Sequence, residues 1–393
     1  MVVEEINYII LCLFAVLSFV SIAAGNIFLG ISVLLFFICI YKKKVTININ
    51  IKRYYYAIAV FVITMLLSAL FSGNIEYGLK RWADMWIWRF MPFIIITCCI
   101  GKQVCVKILK ASCLGISIGI LCLIYQGVSG DSRAAGFFGH PMTFAGYLCM
   151  YLPLFLLGYF DGLFGTKYKY ISGIMFLAGI AALIFNGTRG AWIAALFTLG
   201  ILLLHYMFEN KRNFIVGIVL IVICGGILVN NASFMHRVAT ITNNKYQSNS
   251  ERILIWNSAW NMFKDHPVLG VGLGQYKDNY QKKYISPLAK EHYLEHAHNN
   301  FLQMLAENGI VGFIGFISMF CYIIGHNFKK FLREKNIYSL AICAVTITLL
   351  LQGFTEFNFG NSAVVKAYWL ILGCLVVLEN NMEKDIKNRK AVL

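Results

Sequence analysis

Charge is scarce in this sequence. Only 13% of its 393 residues are Asp, Glu, Lys or Arg, about half the share of a soluble domain. By contrast, 59% are hydrophobic and the mean hydropathy is +0.69. Acidic groups are scarcest, with 18 Asp and Glu against 34 Lys and Arg, for a net charge of +16. The one long polar interval, Ala232 to Ala297, contains no cysteine; the cysteines lie in apolar runs, as at Cys12, Cys39, Cys224 and Cys374. That scatter excludes a disulfide framework or thiol metal site, both of which need clustered, reachable sulfur. A Walker loop, a serine nucleophile elbow and a paired-carboxylate arrangement are absent. The glycines of Gly270-Val271-Gly272-Leu273-Gly274 lack the strand–turn–helix setting of a dinucleotide fold. No linker or clear internal repeat divides the chain, so it reads as one domain, residues 1–393.

Apolar runs of about 17–25 residues recur from end to end, each long enough to cross a hydrocarbon core of about 30 Å. The fold class expected is therefore an all-α polytopic membrane protein with about twelve transmembrane helices. Run lengths place them near 8–24, 26–41, 54–71, 86–100, 108–128, 142–160, 171–187, 190–208, 214–231, 309–326, 338–355 and 362–379. The first run has Glu4 and Glu5 where a signal peptide carries basic residues, and a second run follows at once, so it is expected to be a retained helix. Every second gap is basic: Lys42-Lys43-Lys44, Lys102 with Lys107, Lys167 with Lys169, Lys211-Arg212, Lys329 through Lys335, and the tail from Lys384 to Lys390. By the positive-inside rule these gaps and both termini are cytoplasmic. Charge confined to such breaks argues against a nucleic-acid partner; membrane lipids are the expected surroundings.

The alternate gaps then face outward, among them the interval 232–308, far longer than an ordinary loop. It holds five of the eight histidines and is expected to form a partly helical extracytoplasmic cap. Ser250 to Phe263 has helical apolar spacing, with Ser250 as its expected N-cap. Gly270, Gly272 and Gly274 are expected to make a mobile turn.

Several groups carry possible chemistry. Arg189 sits at a membrane boundary, where arginine either anchors at the interface or binds an anion such as phosphate through its fork of donors. Arg133, in a loop with His140-Pro141, and Arg252, beside Trp256 and near Glu251 and Asp265, pose the same choice between surface charge and anion binding; Arg237 is a weaker candidate. His298 begins a helix, and an imidazole titrating near neutrality suits a general base; the alternative is a histidine bonded to backbone. His296-Ala297-His298 hints at a metal site, but without a compact third ligand no metal is expected.

His298-Asn299, nine residues, Gly309, two residues and Gly312 fit the H[NSQ]-x9-G-x2-[GTY] pattern of bacterial O-antigen ligases. Arg133 through Pro141 with Phe144-Ala145, Gly187-Thr188-Arg189-Gly190-Ala191, Arg252 with Trp256, Asp265 through Gly272, and Glu356-Phe357-Asn358 also resemble that superfamily, which includes O-antigen polymerases. The resemblance covers roughly residues 130–380. It implies a glycosyltransferase of the cytoplasmic (inner) membrane that needs no metal, ATP or other cofactor. Such an enzyme moves a glycan from undecaprenyl diphosphate to an acceptor hydroxyl, on lipid A–core in the ligases. His298 matches the catalytic base, and Arg252 and Arg189 match arginines that hold the donor diphosphate. The diphosphate role is extended here to Arg237 and Arg133, with Asn299, His140, Gly309 and Gly312 in support. Two competing readings are a polysaccharide polymerase using the same donor and, from another class, a secondary transporter, for which Glu356 near a helix end is the one argument.

Overall fold

The computed structural model describes residues 2–42, 49–131, 133–229, 232–240 and 247–392. Lys43 and Lys44 of the first basic gap, Ser132, residues 230–231 of the ninth expected helix and residues 241–246 of the long interval lie outside the described residues. Among those described there is no strand. The helices are α1 (Val2–Leu17), α2 (Ile22–Tyr41), α3 (Ile49–Leu70), α4 (Ile75–Ala83), α5 (Met91–Cys99), α6 (Lys102–Val128), α7 (Pro141–Phe160) and α8 (Lys169–Asn186). They continue with α9 (Arg189–Met207), α10 (Lys211–Val229), α11 (Ala232–Ala239), α12 (Gln247–Asp265), α13 (Tyr276–Asn279), α14 (Asn300–Glu334), α15 (Ile337–Gln352) and α16 (Ser362–Val392). Among the described residues, eight helices are long and apolar enough to cross a membrane, and two shorter apolar helices accompany them. The chain is an integral membrane protein.

Helix ends follow side-chain chemistry. Ser21 caps α2, Asn74 caps α4 and Asn336 caps α15, each accepting from a backbone N–H in the first turn. Gly187 ends α8 in the left-handed conformation that favours glycine. The expected helix at 86–100 is instead divided between the end of a π-turn over Asp84–Trp88 and the short α5, Met91–Cys99, with Pro92 in its first turn; α4 precedes both, in the expected gap. There the apolar run alone concealed a break.

The bundle is layered around α16 and α7. In their apolar windows 94% and 89% of residues are buried, against 28% for α2, which therefore lies at the periphery. Trp369 of α16, fully buried, meets Phe90 and Phe93 edge-on at 4.8 and 5.8 Å, tying α16 to α5. Since lipid is as apolar as these side chains, such interlocking, rather than water exclusion, holds the helices together.

The segment from α12 to residue 297 has a small core of its own, built from Ile255, Ala259, Met262, Tyr276, Tyr280 and Ala297, and joined to the bundle through Ala306 of α14. The amphipathic helix expected here is α12. It starts at Gln247, however, so Ser250 is no N-cap: its hydroxyl lies in the first turn and donates back to the Gln247 carbonyl at 2.9 Å.

α14 is two helices joined at Gly309, whose φ of +58° and ψ of −162° no other residue adopts readily. The loop 267–272 threads this break. Ile310 and Val311 donate to the carbonyls of Pro267 and Val268, while Val271 and Gly272 donate to those of Ala306 and Glu307. A Cβ on Gly309 would meet the Val268 carbonyl oxygen at 2.3 Å, and one on Gly270 would meet the Glu307 carbonyl carbon at 2.3 Å. Gly270 and Gly272 thus belong to a hydrogen-bonded clamp rather than the mobile turn expected.

Candidate active site

Two asparagines build the site. Asn299 caps α14 through Oδ1, accepting from Phe301 and Leu302, while its Nδ2 donates to the Phe354 carbonyl. Asn300, fully buried, donates to Asn358 Oδ1 at 2.7 Å and accepts from the Phe359 N–H at 3.1 Å. Its own N–H donates to the Gly353 carbonyl at 2.7 Å. Both therefore lash the start of α14 to the α15–α16 connection.

That connection carries Glu356. Its Oε2 lies 3.2 Å from His298 Nδ1, with the carboxylate 12% and the imidazole 21% exposed. His298 has φ +49°, one of two such non-glycine residues among those described, a conformation that costs about 1–3 kcal/mol and persists where surroundings impose it. The surroundings are visible. Trp256 Nε1 of α12 donates to the Ala297 carbonyl, Gln303 accepts from the Ala297 N–H, and the His298 N–H donates to His296 Nδ1 at 3.3 Å.

The pair opens on a cavity of about 240 Å³ whose walls include His140, Thr143, His296, Asn358 and Asn361. Burial pulls His296 down to about 4, helped by the charge of His298, so it is neutral at pH 7. Burial alone would raise the Glu356 carboxyl; the hydrogen bond from His298, the charge of that ring and the Arg252 guanidinium outweigh it and hold Glu356 below the usual carboxylate range. Arg252 is pulled down by burial and sustained by Glu356 and Glu291, so its charge, permanent at any working pH, bears on the site. Its expected surface partners are engaged elsewhere: Glu251 accepts from the N–H groups of Lys290 and Glu291, and Asp265 pairs with Lys283 and Tyr284.

The remaining arginines gather at the α8–α9 junction. Arg237 Nε donates to the Gly187 carbonyl at 3.0 Å, and a Cβ on Gly187 would lie 3.6 Å from Arg133 Cγ. Arg189 binds Thr240, Ser248 and Asn249, so it holds the start of α12. The two groups of residues meet at Gly190, where a Cβ would collide with Thr355, the neighbour of Glu356.

His298, Asn299, His140 and Arg252 thus converge, with Arg133, Arg189 and Arg237 beside them, while Gly309 and Gly312 shape α14 behind. Glu356 entered the sequence reading only as part of the resemblance and as the argument for transport, with no role at the site; an acidic residue at the end of a membrane helix is the signal that marks it. His296 with Glu356 also supplies what the sequence lacked, a third group near His298: ligand atoms of the three lie within 4.8 Å of one another.

Residues 174–317 match the family model described as O-antigen ligase. That stretch holds Arg189, Arg237, Arg252, His298, Gly309 and Gly312, while Arg133, His140 and Glu356 lie outside it. The chain is also similar to a protein of Haemophilus influenzae described as uncharacterized, with 29% identity over 224 residues, 50% of this chain and 56% of the relative. The chain thus spans little more than half the length of that relative.

Proposed function

We propose, from the similarity of residues 174–317 to the O-antigen ligase family, that the chain transfers a glycan from undecaprenyl diphosphate to an acceptor hydroxyl, with His298 as general base. One observation carries the reading: the His298–Glu356 pair at 3.2 Å on the wall of a polar cavity. A carboxylate that accepts the Nδ1 proton leaves Nε2 with the free lone pair.

The acceptor oxygen attacks the anomeric carbon while its proton passes to His298 Nε2. The bond from that carbon to the diphosphate oxygen breaks, and the diphosphate leaves with the electron pair. Glu356, the positioning residue, stabilises the imidazolium that forms. Fixed cations stabilise the charge developing on the leaving group. Arg252 is one. Arg133, Arg189 and Arg237 are the others, supported by the N-terminal N–H groups of α9 in the same place. The step needs no metal and no nucleotide.

An apolar groove of about 550 Å³, lined by Phe176, Leu183, Trp192, Leu199 and Leu220, suits the polyprenyl tail. Trp192 lies one turn from Arg189, so a lipid in the groove carries its diphosphate toward the arginines. In this reading residues 232–308 form the extracytoplasmic cap, both termini are cytoplasmic, and the acceptor is lipid A–core.

The test is electrophoresis of surface glycans from a deletion strain complemented with wild type, His298→Ala or Glu356→Gln. Unsubstituted core with accumulated lipid-linked polymer, rescued by wild type alone, is the expected result. Core bearing single repeats makes the enzyme a polymerase, and an unchanged profile removes the glycosyltransferase reading.

A further inference from the structure

We propose that His296, His298 and Glu356 form a reversible site for a divalent transition metal of the zinc class, and that its occupancy switches transfer off. The inhibition rests on reading His298 as the base; the site itself does not.

The donor set is two imidazoles and one carboxylate, the composition of open zinc sites with three protein ligands and a fourth position for water. Magnesium and calcium prefer oxygen ligands, so this set selects against them. Bonds of about 2.0–2.2 Å in a tetrahedron place donors about 3.3 Å apart. His298 Nδ1 and Glu356 Oε2 already stand at 3.2 Å. All three ligand atoms fall within 4.8 Å, and the imidazole centroids are 4.3 Å apart, so shifts of about 1–2 Å bring the donors to that spacing. The adjoining cavity of about 240 Å³ has room for the fourth ligand.

Occupancy and general-base catalysis exclude each other. A metal on His298 Nδ1 takes the place of the proton held by Glu356; the neutral ring then carries its proton on Nε2, which has no lone pair left to act as base. Resident metals are backed by acceptors that orient their ligands. Here a neighbour of Glu356 is the Arg252 guanidinium, which repels a cation and favours reversible binding over a permanent cofactor.

The experiment uses the purified full-length protein in lipid nanodiscs, stripped with chelator and titrated with zinc by calorimetry, with cobalt(II) absorption as a probe of coordination. One metal per chain, tetrahedral cobalt bands, and transfer lost at the zinc concentration that half-fills the site and restored by chelator are expected. His296→Gln and Glu356→Gln, each checked for wild-type elution, are expected to weaken binding by more than the roughly 100-fold that loss of an outer contact costs. Absence of stoichiometric binding, binding indifferent to His296→Gln, or transfer that rises with zinc after chelation overturns the proposal. Undiminished transfer by His298→Ala instead removes the base reading, and with it the inhibition, whereas calorimetry reports on the site alone.

Discussion

Glu356→Gln is the sharpest perturbation of the proposed mechanism, because it removes one charge and leaves a hydrogen-bond acceptor in place. When the acceptor's proton reaches His298, a cation forms 3.2 Å from the carboxylate oxygen. At an effective dielectric of about 20, two unit charges at that distance attract by about 5 kcal/mol. The amide oxygen retains a neutral hydrogen bond worth about 1 kcal/mol, so about 4 kcal/mol of transition-state stabilisation is lost, about 10³ in rate. With the carboxylate 12% and the imidazole 21% exposed, bulk solvent and salt screen little of it. Because the imidazolium exists only as the proton moves, the loss falls on kcat and leaves KM nearly unchanged. The assay is single-turnover transfer by purified enzyme from a radiolabelled lipid-linked glycan, with Glu356→Asp as the charge-keeping control. Glu356→Gln activity within threefold of wild type, or a defect confined to KM, refutes Glu356 as the positioning partner of the base.

Gly309→Ala is expected to lower stability by about 3 kcal/mol or more, combining strain at φ +58° with a Cβ set against the Val268 carbonyl; the thermal unfolding midpoint of the solubilised protein measures it. Arg189→Lys keeps the charge but not the fork that spans Thr240, Ser248 and Asn249, so hydrogen exchange in the first turn of α12 is expected to accelerate, and unchanged protection refutes the clamp. His296 takes up its proton near pH 4 in the folded protein and near 6.5 when unfolded. The unfolded chain therefore binds more protons between those values, and stability rises with pH across that window. The wild-type midpoint is expected to fall more steeply than that of His296→Gln from pH 7 to pH 5, and parallel curves refute the assignment.

The membrane class and single helices were legible because run length is a local property: α7 and α9 begin and end within a residue or so of their apolar runs, although eight helices of spanning length, not about twelve, stand among the described residues. Breaks were not, since each is made by a distant partner. Nothing within the run 86–100 announces the π-turn at Asp84–Trp88, and nothing near Ser250 shows that Gln247 is already helical. The histidine and the arginines were legible by type. The partners of His298 and Arg252 were not, because Glu356 stands 58 residues from His298 and reaches it only through the packing of α14 against the α15–α16 connection.

The spacing of the histidine motif now has a physical reading. Asn299 must lie at the N-terminus of α14 to hold His298 against the Glu356 connection, and Gly309 must lie where the 267–272 loop crosses. Between them runs a helical piece of nine residues, 300–308, about 13–14 Å long at 1.5 Å per residue. One residue more or fewer turns the piece by about 100°. Either the buried Asn300 then leaves Asn358, or Ala306 and Glu307 no longer offer their carbonyls to Val271 and Gly272. An alanine inserted after Gln303 is therefore expected to abolish transfer even with His298 and Glu356 intact. Transfer that survives the insertion means that the motif's spacing does not set the site.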